Sequence, residues 1–434
     1  MKILIVGSGG REHVLAWKIK QSPLVEKIYC APGNGGISDI ADCVDISVED
    51  IEGLADFAKK NRIDLTVVGP EIPLVEGIVD AFEAKKLKIF GPNKQAANLE
   101  GSKVFAKGFM HKYNIPTAVY KGFNSPEDAR KFLEEAQYPL VVKANGLAAG
   151  KGVMICKDKK ESEKAIEDIM SSRIFKEAGD QIVIEEYLEG EEVSILAMCD
   201  GTHYLVLDTS QDHKRIFDDD LGPNTGGMGA YSPAPVVDEN LRKQIEARII
   251  EPTIRGMKRE GIPFKGVLYA GLMITKDGPK VLEYNVRFGD PEAQVVIPRL
   301  KNDLVPVLLA CVEERIDEFE LHWDKRTAIC VVMSSGGYPG EYKTGKEIKG
   351  LEEFNESEQT VVFHAGTKRE GNKVLTSGGR VLGVCSFGNT IHEAIDTVYN
   401  DIEKISFERC FFRRDIGTKA FPYVGGSRKA STHR

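Results

Sequence analysis

The chain has 434 residues, more than one hydrophobic core usually fills, so about two to four domains are expected. Its composition, 42% hydrophobic and 29% charged with a net charge of -8, is that of a globular protein and excludes a basic face for duplex DNA or an anionic membrane. Eight scattered cysteines without a C-x-x-C pair, and no apolar run of membrane-spanning length, point to a cytoplasmic protein that must hold any phosphate ligand locally.

The first segment, "KILIVGSGGREHV", runs from an apolar strand through a glycine turn into a helix. Gly7 and Gly9 match a G-x-G-x-x-G fingerprint, but Glu12 stands where the third glycine would be, and "KIYCAPGNGG" ends the next strand without a ribose-binding carboxylate. A nicotinamide site is therefore not expected. From Lys2 to about Gly91, "KILIVG", "EKIYCAP", "DLTVVGPE" and "KIFGP" alternate with helical stretches, which predicts a wound parallel sheet. Ligands bind such sheets beyond the carboxyl strand ends, where Gly7, Gly69 to Glu71 and Gly91 are expected to meet.

Next, "NKQAANLEGSKVFAKGFMHKYN" reads as helix, and "NSPEDARKFLEEA" opens with Ser125 as N-cap and Pro126 at the first helical position. Pro139 to Asp208 is rich in strands, with a hairpin turn at Asp200-Gly201, and a second hairpin turns at Asp277-Gly278. After Trp323 the composition resets, which predicts a separate small domain before a polar tail, "GGSRKASTHR".

Four stretches carry chemistry. "VVKANGLAAGKGVMI" sets Lys143 at a strand end, before a loop with Gly146, Gly150, Lys151 and Gly152. Such a loop can close over a triphosphate through unshielded backbone N–H groups, or it is simply a strand-to-strand turn; it is not a Walker A loop, because a strand follows. "QIVIEEYLEGEE" ends a strand in Glu185 and Glu186, either a solvated acidic turn or a hinge whose backbone at Glu186 to Leu188 meets an adenine edge while Glu192 takes the ribose hydroxyls.

In "VLEYNVRFGDPE", strand alternation puts Glu283 and Asn285 on one face with Arg287 next in the row, and Leu282 and Val286 on the other. A carboxylate and an amide oxygen two residues apart suit Mg²⁺, and an arginine fork suits a carboxylate or phosphoryl group; the alternative is a charged edge strand. "QDHKRIFDDDLGPNTGGMGAYSPAP" joins Asp212, His213, Lys214 and Arg215 to a loop with Gly226, Gly227 and Gly229, too long and polar to be idle. His213 reads as structural, and no covalent-nucleophile signature stands out.

Together these motifs, with "GSGGREH", "GPEIPLVEGIVDAF", "LEGSK", "GLAAGKG", "QDHKR" and "RFGDPE", resemble the ATP-grasp carboxylate-amine ligases, and within them the phosphoribosylamine-glycine ligases, from about Met1 to Gly417. The resemblance implies an α/β and α+β multidomain fold. A Rossmann-like domain would span 1–100, an ATP-grasp domain 101–323 with a lid at about 120–190, an α+β domain 324–420, and a tail 421–434. It implies ATP-dependent joining of glycine to 5-phosphoribosylamine through glycyl phosphate, with Mg²⁺ or Mn²⁺, by a monomer or weak homodimer. Another acid and amine remain the alternative.

Carried over by motif, Lys103, Lys143, Gly146, Gly150, Lys151 and Gly152 would meet ATP phosphates, and Glu185, Glu186, Tyr187, Leu188 and Glu192 the nucleoside. Glu283 and Asn285 would hold the metal. Glu71, Asp212, Lys214, Thr225, Gly226, Gly227, Arg287 and Asp290 would position the substrates, with Lys143, Lys214 and Arg287 catalytic. The Gly9 and Gly10 amides are expected to approach the ribose 5-phosphate. Three positions depart from the family pattern: Asn145 where Asp is frequent, Asp219 where Gly is usual, and Gly271-Leu272 where many ATP-grasp relatives carry a metal-binding carboxylate.

Overall fold

A computed structural model describes residues 1–148, 152–354 and 357–425. The N-terminal part runs β1 (Lys2–Gly7), α1 (Gly10–Ile19), β2 (Lys27–Pro32), β3 (Asp42–Cys43), α2 (Ile51–Asn61), β4 (Leu65–Val68), α3 (Glu71–Glu76), α4 (Ile78–Ala84) and β5 (Ile89–Phe90). All pairings are parallel, in the order β3-β2-β1-β4-β5. Leu4 and Val6 enter one buried cluster while Ile3 and Ile5 enter another, which is why "KILIV" is apolar throughout instead of alternating. The order reverses between β1 and β4, leaving a crevice at their carboxyl ends. Glu12 fills its base: a Cβ at Gly7 or Gly69 would strike the Glu12 side chain. Gly91, at the carboxyl end of β5, packs against Gly266.

The predicted single helix after Asn93 is two, α5 (Lys94–Gly101) and α6 (Lys103–Lys112). Ser102 between them is extended and caps α6 through the Phe105 amide, as serine favours. A smaller unit follows: β6 (Tyr120–Phe123), α7 (Pro126–Phe132), β7 (Leu140–Ala144), β8 (Val153–Cys156), α8 (Lys159–Ile166) and β9 (Ile182–Glu186), its strands antiparallel in the order β6-β9-β7-β8 around their own core, over the segment expected to form a lid. Ser125 caps α7 as expected.

The central sheet joins β10 (Glu191–Asp200), β11 (Tyr204–Val206) and, further on, β16 (Lys265–Thr275) and β17 (Gly278–Asn285), in the order β11-β10-β16-β17. Between them come β12 (Gln211–Asp212), β13 (Arg215–Phe217), β14 (Leu221–Asn224) and β15 (Gly229–Ser232). Beyond them lie β18 (Thr327–Ser335), β19 (Thr360–His364), β20 (Thr367–Glu370), β21 (Lys373–Thr376) and β22 (Arg380–Gly388). The third sheet runs β12-β15-β18-β22-β19, so the glycine-loop segment supplies two strands to a sheet expected to lie wholly beyond residue 324. The fully buried "GAYS" strand finds partners about 100 residues away, beyond what local patterning can indicate.

Asp219 is left-handed (φ 57°, ψ 28°), and its amide donates to Asp415 Oδ2 at 2.9 Å, so the turn keeps the geometry glycine would give it. Asp219→Val is expected to cost about 1–2 kcal/mol in urea unfolding, with Asp219→Gly neutral or stabilising. An unchanged valine variant would show that the turn stores no strain. No helix among the described residues is long and apolar enough to cross a membrane. All eight cysteines are free thiols.

Candidate active site

The three sheets and the smaller β6–β9 unit converge on one cavity of about 1080 Å³. At the end beside the β6–β9 unit, α6 presents Lys103 and, one turn on, Lys107, while β7 presents Lys143. Glu185, expected in an acidic strand end, is buried between cations: its Oε1 lies 3.1 Å from Lys107 Nζ and its Oε2 2.9 Å from Lys143 Nζ. Lys107 Nζ also donates to Thr117 Oγ1 (2.7 Å), Lys143 Nζ to the Leu282 carbonyl (3.1 Å) and Lys103 Nζ to the Gly146 carbonyl (3.1 Å). Burial pushes Lys107 down to about 8 and lowers Lys103 as well.

Glu186 is exposed and accepts from the Val119 amide (2.9 Å). Tyr187 is also exposed, whereas Leu188 packs with Ala118, Met273 and Leu282 into an apolar slot. Asn145 accepts from Ser102 Oγ (3.1 Å) and the Val104 amide (2.9 Å) and donates to Gln181 Oε1 (3.0 Å). Its side-chain oxygen thus helps cap the N-terminus of α6. Gly152 lines the cavity; Gly150 and Lys151 lie outside the described residues.

On β17, Glu283, Asn285 and Arg287 just beyond it all line the cavity, as alternation predicts. Leu282 departs from that prediction. The register slips between Gly271 and Leu272, a bulge that turns Leu282 to the cavity side while Val281, Tyr284 and Val286 enter the core. The Glu283 carboxylate makes no hydrogen bond or ion pair among the described residues. Burial would raise it, but Lys214, Lys143, Lys103 and Arg287 more than offset this and hold it ionised. Arg287 donates to Glu71 Oε2 (3.2 Å), Glu100 Oε1 (3.0 Å) and Asn285 Oδ1 (2.9 Å). Burial pushes Glu100 up to about 7, against the pull of Arg287.

Beside this row, Lys214 Nζ lies 2.8 Å from Glu192 Oε2 and 4.0 Å from Asp212 Oδ1. Burial pushes Asp212 up to about 7 despite Lys214, with Glu292 and Glu192 adding to the rise. Tyr269 Oη donates to Glu292 Oε1 (2.5 Å). At the far end Arg380 Nη1 donates to the carbonyls of Asp290 (2.7 Å) and Gly226 (2.9 Å), and Arg11 Nη1 to that of Phe288 (3.0 Å). The glycine loop is stitched to this wall: Thr225 Oγ1 donates to the Lys214 carbonyl (2.9 Å) and accepts from the Gly227 amide (2.9 Å). Thr225 and Gly226 line the cavity, while Gly227 packs behind them against Pro291.

Gly9 and Gly10, expected to approach a phosphate, are not among the residues that line the cavity. The Gly9 amide donates to Glu12 Oε2, and the Arg11 amide faces Asp290 Oδ2 at 3.4 Å. Two carboxylates thus occupy the N-terminus of α1, and a Cβ on Gly10 would strike Gln294. His213 is fully buried with neither ring nitrogen hydrogen-bonded among the described residues, and burial lowers it to about 3.

Arg11, Glu100, Lys107, Tyr269, Glu292 and Arg380 went unread in the sequence. Lys107 alone carried a signal, its spacing of four from Lys103 on one helix face. The cavity therefore offers lysines and an arginine around an ionised carboxylate for a polyphosphate and its metal, an apolar slot for a flat ring, and an arginine-walled end for a second anionic substrate.

Comparison with known proteins gives a consistent relationship. Models of the phosphoribosylglycinamide synthetase N domain, ATP-grasp (A) domain and C domain match residues 1–100, 101–293 and 328–419. The phosphoribosylamine-glycine ligase of Caldanaerobacter subterraneus subsp. tengcongensis is 52% identical over 416 residues, 96% of this chain and 99% of that protein. That of Escherichia coli K12 is 52% identical over 424 residues, 97% and 99% of the two chains. The Thermotoga maritima phosphoribosylamine-glycine ligase structure superposes with a TM-score of 0.84 at 33% identity, covering 96% of this chain and all of that one. A Campylobacter jejuni biotin carboxylase, 15% identical with a TM-score of 0.73 over 96% of this chain and 94% of its own, shares the fold.

Proposed function

The chain belongs to the phosphoribosylglycinamide synthetase family, and from that premise we propose how its cavity carries out the family's reaction. It is a carbon-nitrogen ligase of purine biosynthesis. Glycine, 5-phosphoribosylamine and ATP give glycinamide ribonucleotide, ADP and phosphate through glycyl phosphate.

The observation that carries the assignment is the Glu283–Asn285–Arg287 row facing Lys103, Lys143 and Lys214 across one cavity. Adenine occupies the slot of Leu188, Met273 and Leu282, with the strand edge from Glu186 to Leu188 toward its polar rim and Glu192 toward the ribose. Lys103 and Lys143 take the phosphates. The donors suit Mg²⁺ or Mn²⁺, since Glu283 is an ionised hard oxygen without a hydrogen-bond partner among the described residues and Asn285 adds an amide oxygen. A bound divalent ion would neutralise charge on the transferring phosphoryl group.

Arg287, clamped by Glu71 and Glu100, holds its planar fork toward the acyl phosphate oxygens. Lys214 faces the same centre. Asp212, raised to about 7, is placed to receive the proton released when the amine attacks. Arg11 and Arg380, in place of the α1 amides, face the 5-phosphate, with Asp290 fixing Arg380 from behind (3.3 Å). Closure of the lid keeps water from the acyl phosphate.

A cytoplasmic enzyme, monomeric or weakly dimeric and without nucleic-acid or membrane partner, suits the free thiols and the net charge of -8. A coupled ADP assay tests the substrates. Turnover is expected only with glycine and phosphoribosylamine together, and comparable turnover with bicarbonate or alanine in place of glycine would overturn the assignment.

A further inference from the structure

Glu185 faces two lysines that are held differently. Lys107 Nζ is fixed on a second side by Thr117 Oγ1, which itself donates to the Val281 carbonyl (2.6 Å). Among the described residues Lys143 Nζ has Glu185 and one carbonyl, and Lys143 is the lysine assigned above to a phosphate. A lysine that turns to a phosphate must loosen its hold on Glu185. That carboxylate is 3% exposed, and a buried carboxylate stripped of its only cation is strongly disfavoured. The second cation removes the obstacle.

We propose that Lys107 is a positioning residue for ATP, the resident counter-ion of Glu185 that lets Lys143 exchange Glu185 for a phosphate without stranding a buried charge. The proposal rests on the ATP site described above. Lys107 touches no reacting atom in this role. It acts through Glu185 on the position of Lys143.

ATP affinity measured calorimetrically, alongside KM values, gives the test. Lys107→Met is expected to weaken ATP about tenfold or more while the KM for glycine stays within about twofold. Lys107→Arg, which keeps the charge, should recover most of the loss. Glu185→Gln in the Lys107→Met background should bring ATP affinity to within about threefold of Glu185→Gln alone, since no charge is then left to strand. A purely structural role would lower thermal stability without this suppression of the ATP defect.

Should Lys107→Met fail to fold, Thr117→Val keeps the lysine charge but releases its clamp, and should raise the KM for ATP severalfold and leave that for glycine unchanged. A Lys107→Met or Thr117→Val protein that binds ATP like the wild type would overturn the counter-ion role, as would a double variant no better than Lys107→Met. A wild-type chain that bound no ATP would instead overturn the site assignment itself.

Discussion

Glu283→Gln is expected to lower kcat by about 10³-fold or more while the protein stays folded. The isosteric change removes a charge and almost nothing else, because the Glu283 carboxylate makes no hydrogen bond or ion pair among the described residues and does not belong to the core. It is the anion that Lys103, Lys143, Lys214 and Arg287 all face, so its loss removes a negative charge those cations share and would leave the metal without its carboxylate. Removing one group that stabilises a transferring phosphoryl or acyl centre typically costs about 10²–10³-fold, and a lost metal ligand adds to that. Circular dichroism and thermal melting should show a native fold, and the ADP assay almost no turnover even at raised Mg²⁺. Turnover near wild type would remove Glu283 from the reaction.

Arg287→Met should damage stability as well as activity. The Arg287 side chain is 15% exposed and neutralises two carboxylates from different elements, Glu71 of α3 and Glu100 of α5, whose side chains are 24% and 8% exposed. Removing the cation paired with both carboxylates of a largely buried cluster costs about 3–5 kcal/mol, which chemical denaturation would detect. The pH dependence fixes the sign. Glu100 is raised from 4.5 in the unfolded chain to about 7, so its favourable contribution is complete below 4.5 and lost as pH rises through 7. Without Arg287 the carboxyl rises further, and the deficit of the variant should grow between pH 5 and pH 8. A deficit that shrank over that range would mean that Arg287 does not neutralise Glu100.

Much of the site could be read locally because strands and helices write side-chain direction into sequence spacing. Glu283, Asn285 and Arg287 share a face through period-two alternation, and Lys103 and Lys107 through a spacing of four. The same reasoning misplaced Leu282, because one bulge residue inverts the alternation beyond it and is set by pairing with β16, not by β17 itself. The amides that open α1 show a related limit. A glycine turn before a helix predicts exposed amides, but Glu12 takes the Gly9 amide and Asp290 faces the Arg11 amide.

By itself the sequence determined the strands and helices with clear periodicity, the motifs that supply lysines, carboxylates and glycines, and through their order the family. The tertiary structure alone decided which charges meet. Glu185 became the shared partner of Lys107 and Lys143, Arg380 arrived from about 90 residues beyond Asp290 to wall the substrate end, and β12 and β15 joined the C-terminal sheet. Alternation and helical spacing are set by backbone geometry over a few residues, whereas an ion pair or strand pairing between distant segments depends on how whole layers pack, and leaves no mark in the local pattern of either segment.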